Sequence, residues 1–309
     1  MEALLVAARA GDARATARLV TIVENDEPEA VAISRATYAQ AGRAQVVGVT
    51  GPPGAGKSTL VARLVGFHRE RGARVAVVAV DPSSPFTGGA ILGDRIRMRE
   101  QFLDPGVFIR SMASRGASGG LARSSGRVVG LLDALGFDVV LLETVGVGQE
   151  EVEVMRVAGT VCLVTVPGLG DDIQAIKAGI LEIADVLVVN KADKPGADDA
   201  VRDLHAMLAL ASPRPGAWRP PIVRTTALDG GGVAEVVTAV DDHTAWARES
   251  GEAGRRRRSA ARTEVETLLR EALIRRLEGT IGAERLDRAV ARVAERTTDP
   301  FAAVEELLS

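Results

Sequence analysis

With 309 residues, 46% of them hydrophobic, the chain is long enough to bury one large α/β core with helical additions. Aromatic residues make up only 3%, so Val, Leu, Ile and Ala must build that core, as they do in a parallel sheet under helices. A net charge of −3 gives no support for nucleic acid as the main partner; with no signal-peptide core and no apolar run near ~20 residues, the expectation is a cytoplasmic protein with no membrane association.

Residues 1–43 predict a helical extension, with Leu4, Leu5 and Ala8 on one face and Ala17, Val20 and Val23 on another. A further helix is expected from Glu29 to Ala41, after the break at Glu24–Pro28. This segment precedes the first strand, belongs to no βαβ unit, and reads as packing that covers one edge of the core.

From Val46 apolar strands and helices alternate, the pattern of a parallel sheet with right-handed crossovers. Between the strand ending at Thr50 and a helix expected from Thr59 to Arg71 stands Gly51-Pro52-Pro53-Gly54-Ala55-Gly56-Lys57-Ser58. It matches G-x-x-x-x-G-K-[ST] at every fixed position. Glycines let such a loop curl round phosphates without Cβ clashes, and backbone N–H groups at a helix start favour anions. Lys57 would reach the β- and γ-phosphates, and the Ser58 hydroxyl would ligate Mg²⁺.

The next strand, Arg74–Val80, delivers Asp81 at its C-terminal end, where open α/β sheets bind ligands. Residues 82–95 are rich in Gly, Pro and Ser and contain Asp94; so long a loop in a compact domain points to function. A short strand at Val107–Arg110, a second Gly/Ser-rich loop, and a helix over Leu121–Gly136 follow. The strand Asp138–Leu142 ends in Glu143-Thr144-Val145-Gly146. Glu143 would orient a metal-bound water there, and the Gly146 N–H could meet the γ-phosphate.

A helix from Glu150 to Ala158 leads to a strand over Thr160–Val166. Its lone cysteine, Cys162, reads as a buried small hydrophobe, and a single thiol fits a reducing compartment. The strand Asp185–Val189 ends in Asn190-Lys191-Ala192-Asp193. An Asp carboxylate can accept both the ring N–H and the exocyclic amine of guanine, which selects GTP over ATP. After Ile222–Thr225, an N–H of Thr226, Ala227 or Leu228 would meet the guanine carbonyl.

Helices fill the rest. One spans Val233–Glu249, a break falls at Gly251–Gly254, and Arg255–Arg258 opens another with Val265, Leu268, Leu269, Ala272 and Leu273 on one face. The arginines read as a solvated helix start. Gly279–Gly282 turns into a last helix ending near Leu308. The apolar stripe must be buried, on its own domain or on a partner subunit. The expected division is 1–43, 44–250 and 251–309.

The ordered set GPPGAGKST, VDPSSPFTGGAILGDR, ETVGVGQ, NKAD and TAL closely resembles the MeaB/ArgK-type GTPases, associated with methylmalonyl-CoA mutase, from about Ala30 to the C-terminus. The resemblance implies a SIMIBI-class P-loop NTPase fold: a mainly parallel sheet flanked by helices, an N-terminal helical extension and a C-terminal helical dimerisation arm. It assigns catalysis to Lys57, Asp94 and Glu143, and metal binding to Ser58, Asp81, Asp94 and Glu143. Nucleotide binding goes to Gly51, Gly54, Ala55, Gly56, Lys57, Ser58, Thr59, Gly146, Asn190, Lys191, Asp193, Thr226, Ala227 and Leu228. Asp171 and Lys177 look like the family's switch that relays nucleotide state to the partner. The implied function is a Mg²⁺-dependent GTPase, a homodimer, that gates loading of adenosylcobalamin into methylmalonyl-CoA mutase or a related acyl-CoA mutase and protects it. A cobalamin adenosyltransferase could join the complex.

Independently of the family, the position after the E-x-x-G glycine is Val147, which cannot hold the attacking water; Gln149 lies two residues on. Slow intrinsic hydrolysis is therefore expected. Competing readings are a nickel-delivery GTPase, a kinase or phosphotransferase, and a binding scaffold. Metal delivery calls for Cys or His ligands, whereas His68, His205 and His243 are scattered.

Overall fold

Seven strands form one parallel sheet in a computed structural model that describes residues 1–81, 103–113, 120–144, 155–168, 183–210 and 216–308. In chain order the strands are β1 (Gln45–Thr50), β2 (Val75–Asp81), β3 (Val107–Ala113), β4 (Val139–Thr144), β5 (Thr160–Thr165), β6 (Val186–Asn190) and β7 (Ile222–Thr225). Their order across the sheet is β3-β2-β4-β1-β5-β6-β7, and every pairing is parallel. All seven C-terminal ends therefore lie on one edge. The chain leaves β1 toward β2 and leaves β5 toward β6, in opposite directions, so the crevice between β1 and β5 is where such a sheet accepts a ligand.

Successive residues of a strand face opposite sides, and the core divides accordingly. Val75, Val77, Val139 and Leu141 pack with Leu60, Leu64 and Val65 of α4 (Lys57–Glu70) and Val236, Val237 and Val240 of the helix Val233–Glu249. Ala76, Val78, Val140 and Leu142 face the other way. They pack with α1 (Glu2–Arg9), α2 (Ala13–Glu24), α3 (Ala30–Thr37) and α5 (Gly120–Ala134). Leu163, Leu187 and Val189 carry α6 (Ala197–Leu210) through Ala200 and Leu204. That helix was not among the sequence expectations. Helix Val233–Glu249 is α7, with the expected bounds.

The N-terminal helices cover the outermost strand, β3, as expected. Leu19, Ile22 and Val23 share a cluster with Phe108 and Met112. Arg110 of β3 donates from Nε to Glu24 at 2.9 Å, and Arg127 of α5 reaches Asp26 at 2.6 Å. The link into β1 is fixed by Asp133, whose buried carboxylate accepts from the N–H groups of Gly42, Arg43 (3.2 Å) and Ala44 (3.0 Å). The expected helix Glu29–Ala41 is shorter than anticipated: α3 ends at Thr37 and a 3₁₀ turn covers Tyr38–Gln40.

Contacts divide the chain into Met1–Gly254 and Arg255–Ser309. Helix α8 runs from Glu252 to Ile281 without interruption, so Gly254 is helical and the expected break contracts to Ser250–Gly251. The last expected helix is two, α9 (Ala283–Ala294) and α10 (Pro300–Leu308). Asp299 starts α10 by accepting from the N–H groups of Phe301 (2.9 Å) and Ala302 (3.0 Å), with Pro300 at the first helical position where it needs no N–H partner. Along α8, Val265, Leu268, Leu269, Leu273, Ile274 and Leu277 are all exposed.

Candidate functional site

The loop Gly51–Gly56 joins β1 to α4, and the helix begins at Lys57, two residues earlier than expected. Gly56 starts it in the left-handed region at φ 88°. A Cβ at Gly56 would overlap the Asn190 amide, and one at Gly51 (φ 146°) would overlap the Val164 carbonyl oxygen. Both glycines are therefore required by close approach as well as by backbone conformation. Lys57 is only 6% exposed, and its ammonium donates to the carbonyls of Gly51 (2.8 Å) and Pro52 (3.0 Å). This folds the side chain back along the loop it is expected to serve.

Ser58 lies in the first turn of α4, and its hydroxyl donates to Glu143 Oε1 at 2.6 Å. Glu143 is the fifth residue of β4, one strand away, and is 1% exposed. Just behind this pair, Thr144 donates to the Thr50 hydroxyl at 3.0 Å. A buried hydroxyl and a buried carboxylate are thus held in contact at the C-terminal edge of the sheet. Both are hard oxygen donors, the set that suits Mg²⁺. Asp81 closes β2 on the same edge.

On the other side of the loop, β6 ends at Asn190, whose amide is a cross-link. Its Nδ2 donates to the Ala55 carbonyl at 2.8 Å. Its Oδ1 accepts from the Thr225 hydroxyl (3.0 Å) and the Ala227 N–H (3.1 Å). Lys191, at φ 57°, donates from Nζ to the Gly54 carbonyl at 2.8 Å. Asp193 is exposed in the turn that follows. The segment Thr226–Gly231 is a tight loop: Thr226 N–H donates to Gly231 (2.9 Å), and Asp229 and Gly230 donate back to Thr226 (3.0 Å each). Lys57, Ser58, Glu143, Asn190, Lys191 and the 226–228 segment therefore meet along one edge. Asp94, Gly146, Val147, Gln149, Asp171 and Lys177 lie outside the described residues, as does the side chain of Asp81.

The methylmalonyl-CoA mutase-associated GTPase family, MeaB, matches residues 16–281. The chain belongs to that family. The match begins before the Ala30 expected from motifs alone and takes in most of α2. Over 310 residues the chain is 47% identical to a protein of Pyrococcus abyssi, with 100% of this chain and 96% of the relative covered. It is 37% identical to the GTPase ArgK of Escherichia coli over 250 residues, 79% of this chain and 76% of that one. A crystal structure described as the LAO/AO transport system kinase superposes with a TM-score of 0.72 at 26% identity, covering 99% of this chain and 95% of the other. A GTPase of this family binds GTP and releases GDP, and the seven-stranded parallel sheet is the P-loop fold expected of it.

Two constellations escaped the sequence reading. Thr225 serves Asn190 although the motif reading began at Thr226. At the N-terminal ends of β5 and β6, His243 Nδ1 lies 2.8 Å from the Thr160 hydroxyl and Nε2 3.1 Å from Asp185. Trp218 and Trp246 pack on the same imidazole. No spacing in the chain announces that group, because α7 brings it to the sheet. His68, on α4, is also buried, and burial lowers its pKa. His205 is exposed on α6. Cys162 is buried and its thiol is pushed up to about 12 by desolvation, which makes it an inert packing residue. Among the described residues no helix is long and apolar enough to cross a membrane.

Proposed function

We propose that this chain is a Mg²⁺-dependent GTPase that gates loading of adenosylcobalamin into an acyl-CoA mutase, methylmalonyl-CoA mutase or a close relative, and protects that enzyme. The observation that carries the reading is the pairing of Lys57 and Ser58–Glu143 on one side of the glycine loop with Asn190 and the 226–228 loop on the other. This supports a polyphosphate end and a base end on one sheet edge. Water attacks the γ-phosphorus, the bond to the β–γ bridging oxygen breaks, and the products are GDP and phosphate. Lys57 and the loop N–H groups offset charge on the phosphate oxygens, and Asp193 reads the guanine ring N–H and exocyclic amine. Ser58, Asp81, Asp94 and Glu143 would hold Mg²⁺, which supplies charge neutralisation at the phosphates.

Val147 leaves the attacking water without a side-chain partner directly after Gly146, which supports slow hydrolysis by the isolated protein. Asp171 and Lys177 are the proposed relay to the mutase. The exposed apolar stripe of α8 supports the C-terminal segment 251–309 as an arm that buries itself on a second copy; the other proposed divisions are a GTPase domain 44–250 and a helical extension 1–43. A cobalamin adenosyltransferase is a further proposed partner, and the cytoplasm the proposed compartment. Size-exclusion chromatography of the purified chain with methylmalonyl-CoA mutase tests the pairing: a complex whose stability differs between GDP and a non-hydrolysable GTP analogue is expected. Co-elution with neither nucleotide state would overturn the client assignment.

The description of the solved relative as a transport system kinase favours one second reading, transfer of the γ-phosphate to an acceptor. Labelled phosphate recovered on a protein or amino acid, in place of free phosphate, would establish it.

A further inference from the structure

Arg63 lies one and a half turns into α4, on its exposed side, with nothing in the sequence to distinguish it from a solvated helix residue. Its guanidinium nevertheless holds two consecutive carbonyls 164 and 165 residues away. Nε donates to Ala227 O at 3.0 Å and Nη2 to Leu228 O. These carbonyls belong to the loop expected to meet the guanine carbonyl.

The amides of that loop divide sharply. Thr226 N–H is taken by Gly231, and Ala227 N–H by Asn190. Among the described residues nothing accepts from Leu228 N–H. It shares a peptide plane with the Ala227 carbonyl, and in a trans peptide the C=O and N–H point in opposite directions. Arg63, by gripping Ala227 O, therefore fixes the direction in which Leu228 N–H points. The grip on Leu228 O fixes the next plane, whose N–H already closes the loop onto Thr226. A cation on a peptide oxygen also polarises the unit and strengthens its N–H as a donor.

We propose that Arg63 is a positioning residue for guanine recognition, acting through the Leu228 N–H on the carbonyl at position 6 of the base. The proposal rests on the GTPase reading above and deepens it. Adenine carries an amine at that position, which cannot accept, so Arg63 sharpens selection of guanine over adenine without touching the nucleotide. Asp193 reads the other edge, and the two devices act on different base atoms.

The test uses the full-length protein and its Arg63→Ala, Arg63→Gln and Arg63→Lys variants. Binding of GDP, IDP and ADP is measured by calorimetry, and kcat and KM by steady-state GTP hydrolysis. Arg63→Ala should weaken GDP and IDP by the same factor, about five- to tenfold as one oriented hydrogen bond allows, because both bases carry the 6-carbonyl. ADP binding should not change. KM for GTP should rise with kcat within about twofold, and Arg63→Lys, which still offers a cation to the carbonyls, should recover most of the loss. If Arg63→Ala fails to fold, Arg63→Gln is expected to show the same pattern with a smaller factor. Unchanged GDP affinity, an equal loss for GDP and ADP, or a fall confined to kcat would each overturn the role of Arg63. Wild-type protein that binds GDP no better than ADP would overturn the guanine reading itself.

Discussion

Replacing Asn190 by alanine should destabilise the site through three partners at once, because one side chain ties together three segments. The substitution leaves three buried groups without their partner: the Ala55 carbonyl, the Thr225 hydroxyl and the Ala227 N–H. An orphaned buried polar group costs about 1–3 kcal/mol. Taking the low end for each, since water can enter the space, the total is about 3 kcal/mol. Urea unfolding of the nucleotide-free protein measures it. Affinity for GDP should also fall, by about tenfold, because the glycine loop and the base loop must be brought into register at the moment of binding. Asn190→Asp separates geometry from chemistry. It keeps volume and one acceptor but faces the Ala55 carbonyl with a second oxygen where a donor stood at 2.8 Å. It should be as destabilising as alanine near neutral pH and should recover in part as the pH falls and the carboxyl gains a proton to donate. Two variants each within about 0.5 kcal/mol of the wild type would refute the cross-link.

Gly51→Ala should abolish detectable GTP binding in a calorimetric titration, since its φ of 146° and the overlap with the Val164 carbonyl force the loop away from β5. Normal affinity would show that the loop tolerates a Cβ. Asp133→Ala should lower thermal stability by about 2 kcal/mol, because three amides between the N-terminal helices and β1 lose a charged acceptor. An unchanged melting temperature would mean that water replaces the carboxylate at no cost.

Much of the sheet was legible because each strand is a run of Val, Leu and Ile that cannot remain in water, so only its ends were in doubt. β3 is the instructive exception. Only Val107–Arg110 was expected, yet the strand continues through Ser111 to Ala113, because pairing with β2 overrides the weaker local pattern. α6 was missed although Val201, Leu204 and Leu208 recur at helical spacing and pack it on the sheet. The split between α9 and α10 was readable in Asp299-Pro300, a cap followed by a residue without an N–H.

The site divides in the same way. Phosphate and guanine chemistry demand fixed residue types at fixed spacing beside a strand end, so the glycine loop, Glu143 and Asn190–Asp193 could be found one at a time. What joins them could not. The contacts of Ser58 with Glu143 and of Asn190 with Ala55 span 85 and 135 residues and exist only once the strand order is set. Arg63 and the Thr160–His243–Asp185 group belong to the same class, side chains whose partners are chosen by the crossovers.

The most direct test of the central claim is the rate of GTP hydrolysis by the purified protein, alone and with methylmalonyl-CoA mutase, with Lys57→Ala as the control. The account predicts slow release of free phosphate that rises severalfold or more on adding the mutase and vanishes in the Lys57 variant. Rapid turnover by the isolated protein, or a rate indifferent to the mutase, would contradict it.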